Sequence, residues 1–213
     1  MNLLKRLLNN KYFIGFALAT ILLLLVQACQ TYFDRNYDMI TVEVKDAVLS
    51  GHGSGVFIGP NLVLTAAHVV NELISPIIIT SDGVEHVGKI LAKGTSVDTA
   101  LIAIDDTVTS WAHVSCVIPE AGTAVEIVGY PLFFKLIHTF GHIASNYRLQ
   151  EFLPVDATVN GGNSGGPVFN SAGDIIGIVV VTAQAMNPFG MPVPAVLGGI
   201  VPGKDICETF GWK

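Results

Sequence analysis

The chain has 213 residues, is 51% hydrophobic and only 13% charged, and carries a net charge of −6 at pH 7. That balance lacks the basic footprint of a nucleic-acid binder, which excludes DNA and RNA as main partners. Its 22 glycines favour a turn-rich β architecture over a helical bundle, and its length suits one large domain or one domain of two lobes.

In chain order, Lys5, Arg6 and Lys11 make a positive start, and Tyr12 to Val26 is apolar without a charge. This is the n-region and h-region pattern of an export signal. The run is short against the roughly 20 residues that a bilayer span needs. It ends in Val26-Gln27-Ala28-Cys29, which resembles a bacterial lipobox with Gln27 in place of a small or aliphatic residue. Two readings stand side by side: a lipoprotein acylated on Cys29, or an uncleaved signal anchor or ordinary signal peptide. Residues 1–30 are then the targeting or anchor segment and 31–38 a tether. Residues 39–213 work outside the cytoplasm beside a membrane, in the cell envelope or facing a periplasm.

From Met39 the chain reads as short apolar runs separated by turn signals. Ile40–Val44, Gly55–Ile58, Leu62–Thr65, Ile77–Thr80, Val84–Leu91 and Ala100–Ile104 form a first set. Ala124–Val128, Thr139–Ala144, Val155–Val159, Pro167–Phe169, Ile175–Val181 and Val196–Val201 form a second. About six strands on each side of a linker near 106–121 predict an all-β protein of two six-stranded antiparallel β-barrels. Lobe one would cover about 39–115 and lobe two about 116–203. Short helices are expected from Ala66-Ala67-His68 and over about 204–210. The chain stops soon after, so no second folded module is expected behind the last helix.

Three cysteines are present. If Cys29 carries lipid, Cys116 and Cys207 remain, either as buried free thiols, the plainer reading, or as a disulfide that an exported protein permits. There is no H-E-x-x-H pattern and no Cys/His ligand spacing, so neither a metal nor a cofactor is expected.

The chemistry concentrates in Asn160-Gly161-Gly162-Asn163-Ser164-Gly165-Gly166-Pro167. A serine among glycines gives a tight loop whose N–H groups can converge on one point. That arrangement suits a nucleophile, Ser164, beside an oxyanion hole built by Gly162, Asn163 and Ser164. A serine hydroxyl needs an adjacent base. Of six histidines, only His68 follows an apolar strand and a small-residue turn. His52, His86, His113, His138 and His142 read as surface or loop residues, with His142 nearest the expected cleft. Asp98, at the mouth of the apolar run Ala100–Ile104, is the acid placed to orient the base. Its rivals are Asp82, Asp105 and Asp106.

The order His68, Asp98, Ser164 resembles the chymotrypsin-like clan. Ser54 to Val70, Asp98 to Ile104 and Gly162 to Pro167 resemble its HtrA/Deg branch, and the resemblance covers about residues 40–210. It implies a double β-barrel with the active site between the lobes and peptide-bond cleavage through an acyl-enzyme. Asn163 stands where digestive members carry an aspartate, so activation by zymogen cleavage is not expected. HtrA proteins carry PDZ modules after the protease lobe, and none is expected here, so their peptide-sensing regulation and trimer do not transfer. The resemblance places the substrate pocket at Thr158 and at Val179, Val180 and Val181, with Gly198 or Gly199 opposite. With no carboxylate at its floor, small or medium aliphatic residues are expected before the scissile bond. Loops around Phe133-Phe134 and from Ala185 to Val193 would gate or feed the cleft.

The expected function is therefore an exported, membrane-tethered serine endopeptidase acting on polypeptide. The alternative is a catalytically silent binding or scaffold protein on the same fold. The oligomeric state has no sequence signature.

Overall fold

The computed structural model describes residues 15–24, 37–45, 51–71, 74–149, 151–186 and 192–212. The chain divides into two units, Met1–Asn36 and Tyr37–Lys213. In the first, residues 15–24 are helical, with Phe16, Leu18 and Ile21 to Leu24 exposed. Among the described residues no helix is long and apolar enough to cross a membrane. Cys29 and its lipobox, and most of the tether, lie outside the described residues.

The second unit holds the two six-stranded sheets that the apolar runs predict. A short helix, α1 (Tyr37–Ile40), leads into β1 (Thr41–Lys45). There follow β2 (His52–Gly59), β3 (Leu62–Thr65), β4 (Ile77–Ile79), β5 (Glu85–Lys93) and β6 (Ala100–Ile104). They close into an antiparallel barrel in the order β1-β2-β3-β6-β5-β4. The second sheet comprises β7 (Ala124–Gly129), β8 (Ile137–His142), β9 (Leu153–Val155), β10 (Pro167–Phe169), β11 (Ile175–Met186) and β12 (Pro192–Pro202). Its order is β8-β7-β10-β11-β12-β9, and the bridge between Ile143 and Val155 draws its two edges together.

Burial explains the patterns. In β5, exposed and partly buried residues alternate over most of its length, as on a strand with one wet face. In contrast β6 lies between β3 and β5 and reads as a continuous apolar run. Phe57, Leu64, Ile78 and Ile102 fill the first barrel. Burying such a side chain stabilises by roughly 1.5–3 kcal/mol. This core runs on without a break through Val128, Phe169, Ile178 and Val201 into the second lobe. The second barrel has its own core of Val125, Ile127, Leu153, Val155, Val179 and Ile200.

Three differences from the sequence reading have local causes. The ninth strand spans Leu153–Val155 rather than Val155–Val159. At Asp156 the chain turns out of the sheet, and the carboxylate accepts the backbone N–H of His142. α1 was not expected; its Tyr37 ring stacks on Phe169, with centroids 3.9 Å apart, so packing between distant segments makes it. Cys116 and Cys207 are not free thiols but a disulfide, with Cα atoms 5.6 Å apart. The bridge ties the segment between the lobes to the C-terminal helix α2 (Gly203–Phe210). Arg148 makes a second tie to that helix, a two-pronged contact to Asp205 at 2.5 and 2.8 Å. Hydrogen bonding to Asp205 raises the Arg148 pKa above its ordinary value. α2 ends at Gly211, whose φ of 71° is the left-handed conformation that closes helices.

Candidate active site

β3 delivers the histidine. Thr65 pairs with Ala100 across β3 and β6, so the residues just beyond Thr65 and just before Ala100 come together at the same end of the barrel. The chain leaves β3 in a 3-10 turn, Ala67–Val70, that carries His68. Both oxygens of Asp98 engage that residue: the ring Nδ1 lies 2.5 Å from Oδ2, and the backbone N–H of His68 donates to Oδ1 at 2.9 Å. Partial burial pushes the Asp98 pKa up, but the hydrogen bonds from the His68 ring and backbone and from Ala67 outweigh it. The net shift is below the ordinary 3.8. Asp98 is therefore an ionised acceptor, so Nδ1 must carry the proton. In the neutral ring this tautomer leaves Nε2 with its lone pair, the form a general base needs.

Two of the three rival acids are engaged elsewhere. Asp82 accepts from Thr80 and Val84 within a turn, and Asp106 pairs with His86 at 2.7 Å. His142 sits at the end of β8 with its ring 3.7 Å from Asp156. His113 lies 3.4 Å from Asp174, and His138 lies between Glu126 and Asp38.

The serine loop arrives from the other lobe. Its peptide groups are gripped by β11, because Gly165 N–H donates to Val179 O at 2.7 Å and Val179 N–H to Gly166 O at 2.9 Å. On the other side Ser54 N–H of β2 donates to Ser164 O at 2.7 Å. The fit is close. A Cβ on Gly165 would stand 2.9 Å from Ala66 N. One on Gly53 would stand 2.6 Å from Val69 Cγ2 and 2.9 Å from Ser164 O. Gly165 thus lies beside Ala66, and Gly53 lies between Val69 and the Ser164 carbonyl, which brings the serine loop to the segment carrying His68; Ser164 is partly exposed.

Gly162 has φ +96°, and a Cβ there would come 2.3 Å from Tyr130 O, so only glycine fits. The peptide between Gly161 and Gly162 is fixed by Leu132 N–H, which donates to Gly161 O at 2.7 Å. Because the peptide is planar and trans, that contact also sets the direction of Gly162 N–H. The expectation that Asn163 supplies an oxyanion donor needs correction. Its N–H is already given to Asn160 O at 3.0 Å, and the residue is buried. Among the described residues, no backbone carbonyl accepts from Gly162 N–H or Ser164 N–H.

The pocket residues are dispersed. Thr158 is exposed, and its carbonyl accepts the Thr139 hydroxyl at 3.0 Å. Val179 is wholly buried in the second core, so its part at the site is the backbone grip on the serine loop and not a pocket wall. Val180 packs against the other core. The Val181 side chain lies outside the described residues, while its backbone pairs with Gly199. Gly198 packs closely on Val159 and Val155, where a Cβ would stand 2.6 Å from Val159 Cγ2 and 3.1 Å from Val155 Cγ2.

Two residues escaped the sequence reading. His52 is no surface histidine. Its Nε2 lies 2.9 Å from Tyr130 O and 2.7 Å from where a Gly162 Cβ would be. Ser54, wholly buried, bonds Gly162 O at 2.7 Å and Tyr130 N at 2.9 Å. Beside them lies a cavity of 680 Å³, with Glu43, His52, Tyr130, Leu132, Phe133 and Phe134 in its walls. Phe133 and Phe134 are exposed. Among the described residues no group of His, Cys, Asp and Glu could hold a metal.

Two barrels, a His–Asp pair on the first and a glycine-bounded serine loop from the second define a class, and the comparisons agree. The family model described as "Trypsin-like peptidase domain" matches residues 53–178, so the chain belongs to the trypsin-like peptidase family. Relatives that it matches are proteases of the HtrA/Deg branch. A probable periplasmic serine endoprotease DegP-like of Rhizobium meliloti is 35% identical over 136 residues, 59% of this chain and 27% of that protein. Serine endoprotease DegS of Escherichia coli is 28% identical over 145 residues, covering 63% and 41% of the two chains. The crystal structure of a serine endoprotease from Yersinia pestis superposes with a TM-score of 0.70 at 24% identity, covering 84% of this chain and 65% of that one. The chain spans between about a quarter and a half of the curated relatives it matches.

Proposed function

We propose that this chain is a serine endopeptidase in which His68 is the general base, Asp98 its orienting carboxylate and Ser164 the nucleophile. The observation that carries the reading is the double contact of Asp98 with His68, set against a Ser164 loop whose Gly162 is held at φ +96°. In the reaction Ser164 Oγ attacks the scissile carbonyl and its proton passes to His68 Nε2. The imidazolium so formed is stabilised by the ionised Asp98. The carbonyl oxygen, now negative, takes hydrogen bonds from Gly162 N–H and Ser164 N–H. On collapse His68 returns the proton to the leaving amine. A water activated by the same imidazole then hydrolyses the acyl-enzyme.

The substrate is polypeptide, cleaved after small or medium aliphatic residues. The site of action is outside the cytoplasm, tethered to a membrane through the N-terminal segment, by lipid on Cys29 or by the apolar run itself. The Cys116–Cys207 disulfide supports an oxidising compartment, and the DegP-like relatives are named as probable periplasmic proteases. A fluorophosphonate probe tests the chemistry, because it labels only an activated serine. Ser164→Ala is expected to abolish labelling and lower peptide turnover by ~10⁶. Turnover that survives the substitution would remove Ser164 from the mechanism. An unlabelled but folded wild-type chain would favour the silent scaffold. Intact mass of the membrane-extracted protein shows whether Cys29 is acylated.

A further inference from the structure

We propose that Ser54 is a positioning residue for the oxyanion site, a proposal that rests on the serine endopeptidase reading above. Ser54 lies on β2 in the first barrel, more than a hundred residues from the loop it holds, and is wholly buried. Every polar group it owns is committed to the catalytic loops. Its backbone N–H donates to Ser164 O at 2.7 Å. Its carbonyl accepts the Thr65 hydroxyl at 2.7 Å, at the end of the strand that delivers His68. Its own hydroxyl donates to Gly162 O at 2.7 Å and accepts Tyr130 N–H at 2.9 Å.

The hydroxyl is the consequential group. Gly162 O belongs to the peptide that joins Gly162 to Asn163, which stands between the two N–H groups assigned to the oxyanion. The N–H of that same peptide is held by Asn160 O. A planar peptide pinned at both its oxygen and its nitrogen cannot rotate. The donors on either side of it then point where a developing charge appears, and no reorganisation is needed during the reaction. Gly162 most needs such a restraint, because a glycine at positive φ has the widest choice of alternatives. The acceptor half of the bridge serves the same end. Tyr130 N–H ends on Ser54 Oγ while Tyr130 O faces His52 Nε2 at 2.9 Å. β2 therefore also anchors the segment whose Leu132 N–H fixes the peptide before Gly162.

The surroundings select serine. A Cβ on Gly129 would stand 2.9 Å from Ser54 Oγ, and one on Gly166 would stand 3.3 Å from Ser54 Cβ. Glycine backbone encloses the side chain on these sides, so an unbranched two-atom side chain fits and a branched one does not.

The test separates positioning from plain structural support. Ser54→Ala in the full-length chain is expected to lower kcat by roughly 10–100-fold while KM stays within about threefold, part of the effect of losing an oxyanion donor outright. Inhibition by a substrate-matched peptide aldehyde should weaken by the same factor. Ser164 Oγ adds to the aldehyde carbon, and the resulting oxygen occupies the oxyanion site. A merely structural role would lower Tm and leave both quantities alone, and that result overturns the proposal. If Ser54→Ala does not fold, Ser54→Cys decides. It keeps an atom in place with a weaker donor, so a smaller parallel loss in kcat and aldehyde affinity supports the role, and wild-type values overturn it. A folded wild-type chain that neither takes the fluorophosphonate nor hydrolyses peptide overturns the endopeptidase reading and this proposal with it. An active wild type with an unimpaired Ser54→Ala overturns this proposal alone.

Discussion

Replacing Asp98 by asparagine changes one atom's chemistry at the centre of the proposed mechanism. The carboxylate accepts twice from His68, at Nδ1 and at the backbone N–H. An asparagine can keep only one of these as an acceptor. With its carbonyl on the backbone N–H, its NH₂ faces Nδ1, which must then be the unprotonated nitrogen. The proton moves to Nε2, and the ring can no longer take one from Ser164. Shape and packing are conserved, so binding should be spared and turnover lost. A kcat lower by ~10⁴ is expected, equivalent to about 5.4 kcal/mol in the barrier, with KM within threefold. The assay is steady-state hydrolysis of a fluorogenic peptide with an aliphatic residue before the scissile bond. A thermal melt in parallel excludes misfolding. The same carboxylate carries a stability signature. Its folded pKa lies below the ordinary 3.8, so its contribution is fully present above that value and is lost as pH falls through the folded pKa. The Tm gap between wild type and Asp98→Asn should therefore narrow as pH drops below about 4. An Asp98→Asn protein that turns over within tenfold of wild type would show that the pair does not set the tautomer of the base.

Two further predictions concern the frame around the site. The disulfide closes a loop with a sequence separation of 91, and removing it through Cys116→Ala with Cys207→Ala should cost on the order of 2–5 kcal/mol. Denaturant titration of both proteins under non-reducing conditions measures this, and equal midpoints would assign the bridge no stabilising role. Thr99 is buried, and its hydroxyl has no hydrogen-bond partner among the described residues. Thr99→Val should raise stability by about 1 kcal/mol, read as a higher urea midpoint at unchanged slope; a lower midpoint would reveal a partner for that hydroxyl.

Much of the architecture was legible because strand periodicity and turn chemistry act over a few residues. Leu62–Thr65, Ala100–Ile104 and Pro167–Phe169 match their expected bounds because each is an apolar run between breakers. The contact of Asp98 with His68 also had a local cue, a carboxylate at the mouth of a strand that the barrel buries. The same rule misjudged Val155–Val159, where alternation continues but Asp156 is drawn to His142 across the sheet.

The sequence by itself determined the β class, the two lobes and the residue types capable of acyl transfer, since backbone propensity and side-chain chemistry are properties of short segments. Only the tertiary structure decided that Cys116 meets Cys207, that Asn163 N–H is already taken, that Val179 holds the serine loop with its backbone while its side chain fills a core, and that Ser54 and His52 reach Gly162 and Tyr130. Each of these is a contact between parts of the chain far apart in order. A hydrogen bond depends on where two groups end up in space, and no spacing along the polymer encodes that.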